Sequence, residues 1–177
     1  TLFGTAVAGV TWTLVEWVMK GKPSLLGICS GIVAGLVAIT PAAGFVGVGG
    51  AMAVCAAAAV ICFFAVTVLK AKLKYDDALD AFGVHGIGGI VGALLTGVFS
   101  FAPLSATDAS PDGSPGGLAQ LIIQCKGVAA TLVYSGVGTR IILYITKALV
   151  DLRVTGKGER ERQHITPHGC HEHQCRH

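Results

Sequence analysis

DDALDAFGVHGIGGIVGALLTGVF, residues 76–99, is the stretch of this sequence from which the fold can be argued. After Asp80 it carries no formal charge, and its one histidine, His85, lies inside an apolar run. An ionisable group in such a run is costly and is kept mainly where it faces a helix-bundle interior or a hydrated path. His85 is therefore a candidate functional residue, with a packing histidine as the alternative that the residues alone leave open.

Glycines recur at a spacing that suits close contact between helices. Gly88 and Gly92 are four residues apart, and so are Gly27, Gly31 and Gly35. Residues four apart share one helix face. Small residues on that face let neighbouring membrane helices approach closely. The spacing therefore predicts two helices that pack closely through their glycines.

The composition is that of a membrane protein. Of the 177 residues 53% are hydrophobic and only 13% are charged, with a mean hydropathy of +0.69, whereas soluble domains carry about 25% charged residues. We therefore predict an all-α polytopic membrane protein whose surroundings are the lipid bilayer. The net charge of +3 comes from short basic clusters between apolar runs, so no nucleic-acid partner is expected. No nucleophile–base set or phosphate-binding motif occurs, so we expect neither an enzyme nor a cofactor.

Five apolar runs are long enough to cross a bilayer, which takes about 20 helical residues. We predict spans at about residues 2–19, 25–45, 48–69, 78–100 and 118–150. They form one partial membrane domain over residues 1–153, and residues 154–177 form a polar tail. Pro41 is expected to kink or end the second helix, and Ser24 can cap its start. Because the chain opens at Thr1 inside an apolar run, we expect it to be a piece of a longer protein or a truncated product.

The positions of lysine and arginine predict the orientation. The first run is followed by Lys20 and Lys22, the third by Lys70, Lys72 and Lys74, and the fifth by both lysine and arginine. Neither residue type occurs in the loops after the second and fourth runs. The positive-inside rule places the basic loops and the C-terminus in the cytoplasm. A multi-pass protein of the cell membrane is the expected location.

Several charged residues allow two interpretations. Glu16, near the end of the first run, either reaches the lipid headgroups or makes a polar contact inside the bundle. Asp76, Asp77 and Asp80 suit the positive end of a helix dipole. We favour that role for Asp76, whereas Asp80 can turn inward and fix local structure. Arg140 either lies on a face buried against protein or reaches a polar region, and the sequence does not decide between them.

Two long motifs resemble the ammonium transporter family, specifically the Amt branch of the Amt/Rh proteins. They are GKPSLLGICSGIVAGLVAITPAAGFV, residues 21–46, and the stretch at residues 76–99. The resemblance extends over about residues 1–153. It implies that the five runs are the last five of the family's eleven membrane helices, in a bundle of two inverted repeats. It also implies a homotrimer in which each subunit has its own pore.

The resemblance also implies roles for individual residues. His85 stands in the family's D-x-F-G-x-H-G motif and corresponds to the second of two pore histidines; the first precedes Thr1. Val33 and Thr40 correspond to positions on a pore-lining helix. Asp80 corresponds to the family's aspartate five residues before the histidine, which gives it a structural role near the pore.

The mechanism implied by the resemblance is deprotonation of ammonium at the outer mouth, followed by passage of ammonia through a hydrophobic pore. Desolvating a cation in an apolar pore is costly, and neutral ammonia avoids most of that cost. A neutral histidine pair offers both donor and acceptor nitrogens. With one of the two histidines and about half of the pore wall, this chain is not expected to conduct alone. The alternatives are an ammonium sensor that signals through its tail and, ranked last, an Rh-type gas channel.

The polar tail departs from the family. Residues 166–169, Thr-Pro-His-Gly, match a closing motif in which plant members carry a phosphorylated threonine. Thr166 is therefore a candidate regulatory phosphosite, although Pro167 differs from the usual residue. A cytoplasmic regulator of the PII type is a candidate partner. The Cys- and His-rich end lacks the spacing of a zinc site, so we favour a divergent or misread C-terminus over a metal site.

Overall fold

The computed structural model describes residues 1–75, 77, 79–105 and 112–149, and within them all regular secondary structure is helical. Seven α-helices are described: α1 (Leu2–Lys20), α2 (Leu25–Ile39), α3 (Val48–Phe64), α4 (Lys70–Leu73), α5 (Ile87–Phe99), α6 (Ala102–Ser105) and α7 (Leu118–Leu149). Two five-residue π-helices accompany them: the first π segment (Ala65–Leu69) and the second π segment (Phe82–Gly86).

Among the described residues, four continuous helical stretches are long and apolar enough to cross a membrane. They are Leu2–Lys20, Val48–Leu73, Phe82–Phe99 and Leu118–Leu149. The second of these joins α3, the first π segment and α4, and the third joins the second π segment and α5. The helix α2 is apolar but shorter, with 15 residues.

The second helix ends earlier than the sequence suggested. We expected a span to residue 45, but α2 ends at Ile39 and residues 40–45 form turns. Pro41 explains the difference, because it has no N–H to continue the helical ladder. The Ala42 N–H instead donates to the Ile39 carbonyl at 2.9 Å, which closes a turn. Pro41 thus ends this helix, which was one of its two expected effects.

Two other boundaries also differ. The third helix was expected to end at residue 69, but it continues through the first π segment to Leu73. The fourth was expected to begin at residue 78, but Asp80 has a positive φ of 54°, which an α-helix does not allow, and the second π segment begins at Phe82.

The chain divides into two compact units, Thr1–Ala130 and Thr131–His177. In the first, α1 packs against α2 and α3, and α5 packs against the same two helices. Their shared core is built from small and medium side chains; its buried members are Ala8, Trp12, Ala34, Ile39, Ala42, Val46, Ala51, Cys55, Ala59, Cys62, Phe63 and Val84. The helix α3 contributes much of this core.

The glycine spacing has the predicted packing role. Gly27, Gly31 and Gly35 are buried against α1. A Cβ added at Gly35 would lie 2.5 Å from Ala8 Cβ, and one at Gly31 would collide with Trp12 Cβ. The helices α1 and α2 can approach this closely because the contact face of α2 lacks side chains.

The second unit is described over residues 131–149, all of them in the C-terminal part of α7. Their side chains are exposed, with partial exposure only at Gly138 and Thr146. Arg140 is among the exposed residues, so within the described part of this unit it does not lie on a buried face.

Candidate functional site at the second π segment

The second π segment carries His85 in an apolar setting. Gly83 and Val84 are buried, and Val84 belongs to the core. The imidazole of His85 is exposed on the surface of the chain, as is the neighbouring ring of Phe82. π-helical turns occur often at functional sites. The segment therefore presents one polar ring on an otherwise apolar helix.

The Asp77 carboxylate caps the start of this segment. Its Oδ1 accepts the Ala81 N–H at 2.8 Å, and its Oδ2 accepts the N–H groups of Phe82 at 2.9 Å and Gly83 at 3.4 Å. The first N–H groups of a helix have no partner within the helix. One carboxylate thus satisfies three backbone donors at the positive end of the helix, where a negative charge is favourable.

Asp80 forms an ion pair at the turn that precedes this segment. Its Oδ1 lies 2.6 Å from Lys70 Nζ, and both side chains are partly exposed. The same ammonium group donates to the Asp77 carbonyl oxygen at 2.5 Å. Asp80 adopts a left-handed backbone, which aspartate tolerates better than most residues. Lys70 therefore holds two points of the turn that precedes the second π segment.

The two π segments touch each other. A Cβ added at Gly83 would lie 2.7 Å from Val66 Cγ2, so only glycine fits at this contact. One turn earlier on the same helix as Val66, Cys62 Sγ lies 3.9 Å from the Val84 carbonyl oxygen. The ring of Tyr75 packs edge-on against Phe82 with centroids 5.5 Å apart. These contacts involve the three residues that directly precede His85.

Val33 and Thr40 lie on α2 and at its end. Val33 is half-buried and packs against the core cluster that contains Val84. Thr40 is exposed, and its hydroxyl donates to the Leu36 carbonyl at 2.8 Å. The helix α2 contacts the second π segment. Within the described residues no hydrogen bond joins His85 to Thr40, and Val33 has no polar side-chain group, so the structure brings α2 and the second π segment together without a polar contact between these three side chains.

Glycines of α5 set its distance from α2. A Cβ at Gly88 would lie 3.5 Å from Val37 Cγ1, and one at Gly92 would meet the Ala38 backbone, with Ala38 Cα at 2.7 Å. This is the packing predicted from the Gly88–Gly92 spacing. It fixes α5, which directly continues the segment carrying His85, against α2.

Glu16 makes a polar contact inside the bundle. The side chain is 3% exposed, and its carboxylate accepts the Ser24 N–H at 3.1 Å and the Ser24 hydroxyl at 3.0 Å. Lys20 Nζ lies 3.2 Å from Oε1. The Ser24 hydroxyl also accepts the Gly27 N–H at 3.0 Å, so Ser24 caps α2 as predicted. Of the two interpretations of Glu16, the bundle contact is the one observed.

Sequence reasoning missed the roles of Lys70 and Asp77. Lys70 was assigned only to a basic loop, although a lysine at the end of a span followed by acids after a short turn is a signal for an ion pair. Asp77 was expected to act through the helix dipole, and its direct capping contacts were not anticipated. Asp76, Thr166 and the Cys- and His-rich tail lie outside the described residues.

Comparison with known proteins identifies similar chains over nearly the whole sequence. A sequence model of the Ammonium Transporter Family matches residues 1–173. An ammonium transporter of Aquifex aeolicus is 49% identical over 161 residues, which is 91% of this chain and 37% of that protein. The chain thus spans just over a third of the length of this relative.

Solved structures give the same picture. The crystal structure of Saccharomyces cerevisiae Mep2 matches 88% of this chain with a TM-score of 0.79 and 34% identity, and the match covers 36% of the Mep2 chain. A structure described as a sensor Amt protein matches 89% of this chain with a TM-score of 0.76 and 28% identity, over 38% of its own length.

Proposed function

This chain belongs to the ammonium transporter family, and we propose that it forms part of a transmembrane path for ammonium or ammonia. The predicted family and the all-α polytopic membrane fold are confirmed by the family match and the solved structures. The named relatives are transporters, not enzymes. Because the chain spans just over a third of these relatives, the activity belongs to the whole protein.

The observation that carries the proposal is the exposure of His85 on an apolar membrane helix. An ionisable side chain that faces lipid is costly, so this ring should face protein or a wet path in the assembled protein. A position on the wall of a pore between two repeats meets that requirement. Residues 80–86 also match the family's D-x-F-G-x-H-G motif.

The proposed chemistry follows from the cost of desolvation. Ammonium gives up a proton at the outer mouth, and ammonia then passes the apolar pore, because a bare cation there would lose its hydration without replacement. A neutral His85 has one donor and one acceptor nitrogen. With a second histidine from the facing half, it can offer the passing ammonia both kinds of partner.

The other proposed site residues line this path or support the segment that carries His85. Val33 on α2 and Thr40, the C-cap residue of α2, are seven residues apart, so they lie on one side of the helix axis and would line the wall at two depths. Thr40 is exposed, and its hydroxyl, which donates to the Leu36 carbonyl, keeps its acceptor lone pairs for a passing donor. Asp80 has a structural role, supported by its ion pair with Lys70.

Assembly and regulation are proposed from the family alone. We propose a homotrimer with a cytoplasmic C-terminus, regulated through its tail by phosphorylation at Thr166 or by a PII-type protein. The alternating basic loops support the cytoplasmic position of the tail.

A second function, ammonium sensing, is supported by the likeness to the sensor Amt protein. In that case the whole protein would bind ammonium and signal through a soluble partner with little flux. The two functions differ in whether growth on limiting ammonium depends on this protein.

Growth rescue tests the proposal. A host that lacks its own ammonium transporters would express the complete gene that encodes this chain, either unchanged or with His85→Ala. His164→Ala, which removes a histidine from the polar tail, is the matched control. We expect rescue by the unchanged protein and by His164→Ala, and a marked loss with His85→Ala at equal membrane expression.

Each other outcome has a defined meaning. Rescue that is indifferent to His85→Ala would contradict the pore-histidine role and make His85 a packing residue. Failure of the unchanged protein to rescue, although it reaches the membrane, would contradict transport and favour sensing.

A further inference from the structure

We propose that Lys70 is a positioning residue for His85. The inference rests on the proposed pore role of His85 and extends it to a side chain on another helix. Lys70 acts through the backbone of the turn before the second π segment, not by contact with the transported species.

The first step is the pair of bonds that Lys70 makes. Its ammonium group lies 2.6 Å from Asp80 Oδ1 and 2.5 Å from the Asp77 carbonyl oxygen. These acceptors lie seven and ten residues further along the chain. One cation thus ties the end of the third membrane helix to both sides of the turn that begins the fourth.

The second step is the backbone conformation at Asp80. Its φ of 54° lies in the left-handed region, which is unfavourable for residues with a side chain. Such conformations persist when the surroundings hold them. The Lys70 ion pair holds the Asp80 side chain, while the Asp80 carbonyl accepts the Val84 N–H at 2.9 Å in the second π segment. Asp80 therefore links Lys70, through its side chain, to the segment that contains His85, through its carbonyl group.

The third step is the register of Lys70. The first π segment, Ala65–Leu69, immediately precedes it. A π turn holds one residue more than an α turn, so it rotates the residues after it by about 100° relative to a continuous α-helix. The same segment places Val66 against Gly83. The first π segment thus determines the direction of the Lys70 side chain and also supplies Val66, on which the second π segment packs.

These contacts leave the direction of the His85 ring dependent on Lys70. Asp77 caps the first N–H groups of the segment, Val66 packs on Gly83, and Lys70 holds the turn between the two helices. Without Lys70 the cap and the packing remain, so the segment should stay folded. The turn before it, however, loses its bonds to the end of the third membrane helix. We expect the turn to relax and to change the position of His85.

The test combines transport with a direct measure of position in the complete protein. Lys70→Met is compared with Lys72→Met, which removes the same charge from an exposed neighbour. The maximal uptake rate of labelled methylammonium, divided by the amount of protein at the cell surface, should fall about five-fold with Lys70→Met. A decrease of this size corresponds to the loss of one partly exposed, charge-assisted hydrogen bond. Lys72→Met should stay close to the unchanged protein.

Position is measured by alkylation of a cysteine placed at the histidine. In a His85→Cys background, Lys70→Met should change the alkylation rate at residue 85 several-fold, as quantified by mass spectrometry. The rate at the fully buried Cys55 should stay constant, because it reports loosening of the whole core. Lys72→Met should change neither rate.

Two results would overturn the inference. One is that Lys70→Met behaves like Lys72→Met in both measurements. The other is that alkylation rises equally at residue 85 and Cys55, which makes Lys70 a general stabilising residue.

A second variant covers the case in which Lys70→Met does not fold. Asp80→Ala removes the carboxylate but keeps a Cβ in the left-handed region, so nothing holds the unfavourable backbone conformation. It should change alkylation at residue 85 in the same direction, and unchanged alkylation would overturn the inference. Growth rescue that is indifferent to His85→Ala would instead mark failure of the proposed function itself.

Discussion

Glu16 shows how a charged group is accommodated inside the first membrane helix. Its carboxylate is buried and accepts from both the backbone and the hydroxyl of Ser24. Lys20, one turn further along α1, supplies the opposite charge and lies 5.4 Å from the centroid of the Phe63 ring. The buried carboxylate thus connects α1 to the start of α2.

Replacing Glu16 by leucine should destabilise the protein by about 1 kcal/mol, because the N–H and hydroxyl of the exposed Ser24 would lose their carboxylate acceptor. Glu16→Gln keeps an acceptor oxygen and should cost less. The measurement is the thermal unfolding midpoint in detergent. Equal midpoints for Glu16→Leu and the unchanged protein would show that water replaces the carboxylate at the helix end.

Two neighbouring glycines of α5 should respond differently to alanine. At Gly92 the new Cβ would meet the Ala38 backbone, which cannot rotate away, so overpacking should cost about 1–3 kcal/mol. At Gly89 the nearest atom is Val37 Cγ1 at 3.9 Å, an ordinary contact. Gly89→Ala should be neutral or stabilising, since alanine favours the helix.

The same unfolding assay separates the two variants. If Gly92→Ala is as stable as Gly89→Ala, then α2 and α5 are not in the close contact described. A loss of stability in both would point to a general intolerance of this helix to side-chain volume.

At the scale of elements, the start of the second π segment depends on one side chain. The Asp77 carboxylate accepts three backbone N–H groups, those of Ala81, Phe82 and Gly83. A cap of this kind is worth about 1 kcal/mol. A substitution of Asp77 should therefore lower the local stability of the segment without altering the core contacts of Gly83 and Val84.

Asp77→Ala should make amide hydrogen exchange about five-fold faster at residues 81–83, which is the factor for a loss of about 1 kcal/mol. Asp112→Ala, at an exposed loop position, should leave these amides unchanged. The measurement is hydrogen–deuterium exchange read by mass spectrometry. Unchanged exchange after Asp77→Ala would mean that the turn, held by Lys70, suffices to order the segment.

The elements that the sequence predicted are those with a local signal. Pro41 ends α2 because it lacks an N–H, Ser24 caps α2 with its own hydroxyl, and the four-residue glycine spacing defines a packing face. The two π segments have no such signal, because the runs that contain them are apolar on every face and a shift in helical register therefore leaves no mark in the sequence. The Lys70–Asp80 pair has a weaker signal, a lysine at the end of a span followed by acids after a short turn, and this signal does not identify which acid is the partner.

For the candidate site, the sequence supplied the residues but not their surroundings. His85 stands out as the one histidine in an apolar run. That its ring is exposed while Gly83 and Val84 beside it are buried follows from how the second π segment packs on α3. The roles of Val33 and Thr40 rest on resemblance, because their residue types are common on packed helices and identify no chemistry.

At the scale of the whole molecule, the orientation in the membrane decides which side of the bilayer the Lys70–Asp80 ion pair faces. The basic loops predict that residues 70–75 face the cytoplasm and that the loop containing Asp112 faces outward. In that orientation the Lys70–Asp80 ion pair and the Asp77 cap of the second π segment lie at the inner mouth of the proposed path. The predicted cytoplasmic tail would then be on the same side as Lys70.

Cysteine labelling of intact cells tests this orientation. A membrane-impermeant maleimide should label Asp112→Cys on intact cells and Lys72→Cys only after permeabilisation, since both positions are exposed but lie in opposite loops. The unsubstituted protein gives the background from its six native cysteines. Labelling of Lys72→Cys on intact cells would indicate the opposite topology, in which the Lys70–Asp80 ion pair lies at the outer mouth. The regulation proposed through a cytoplasmic tail would then have no contact with the segment that carries His85.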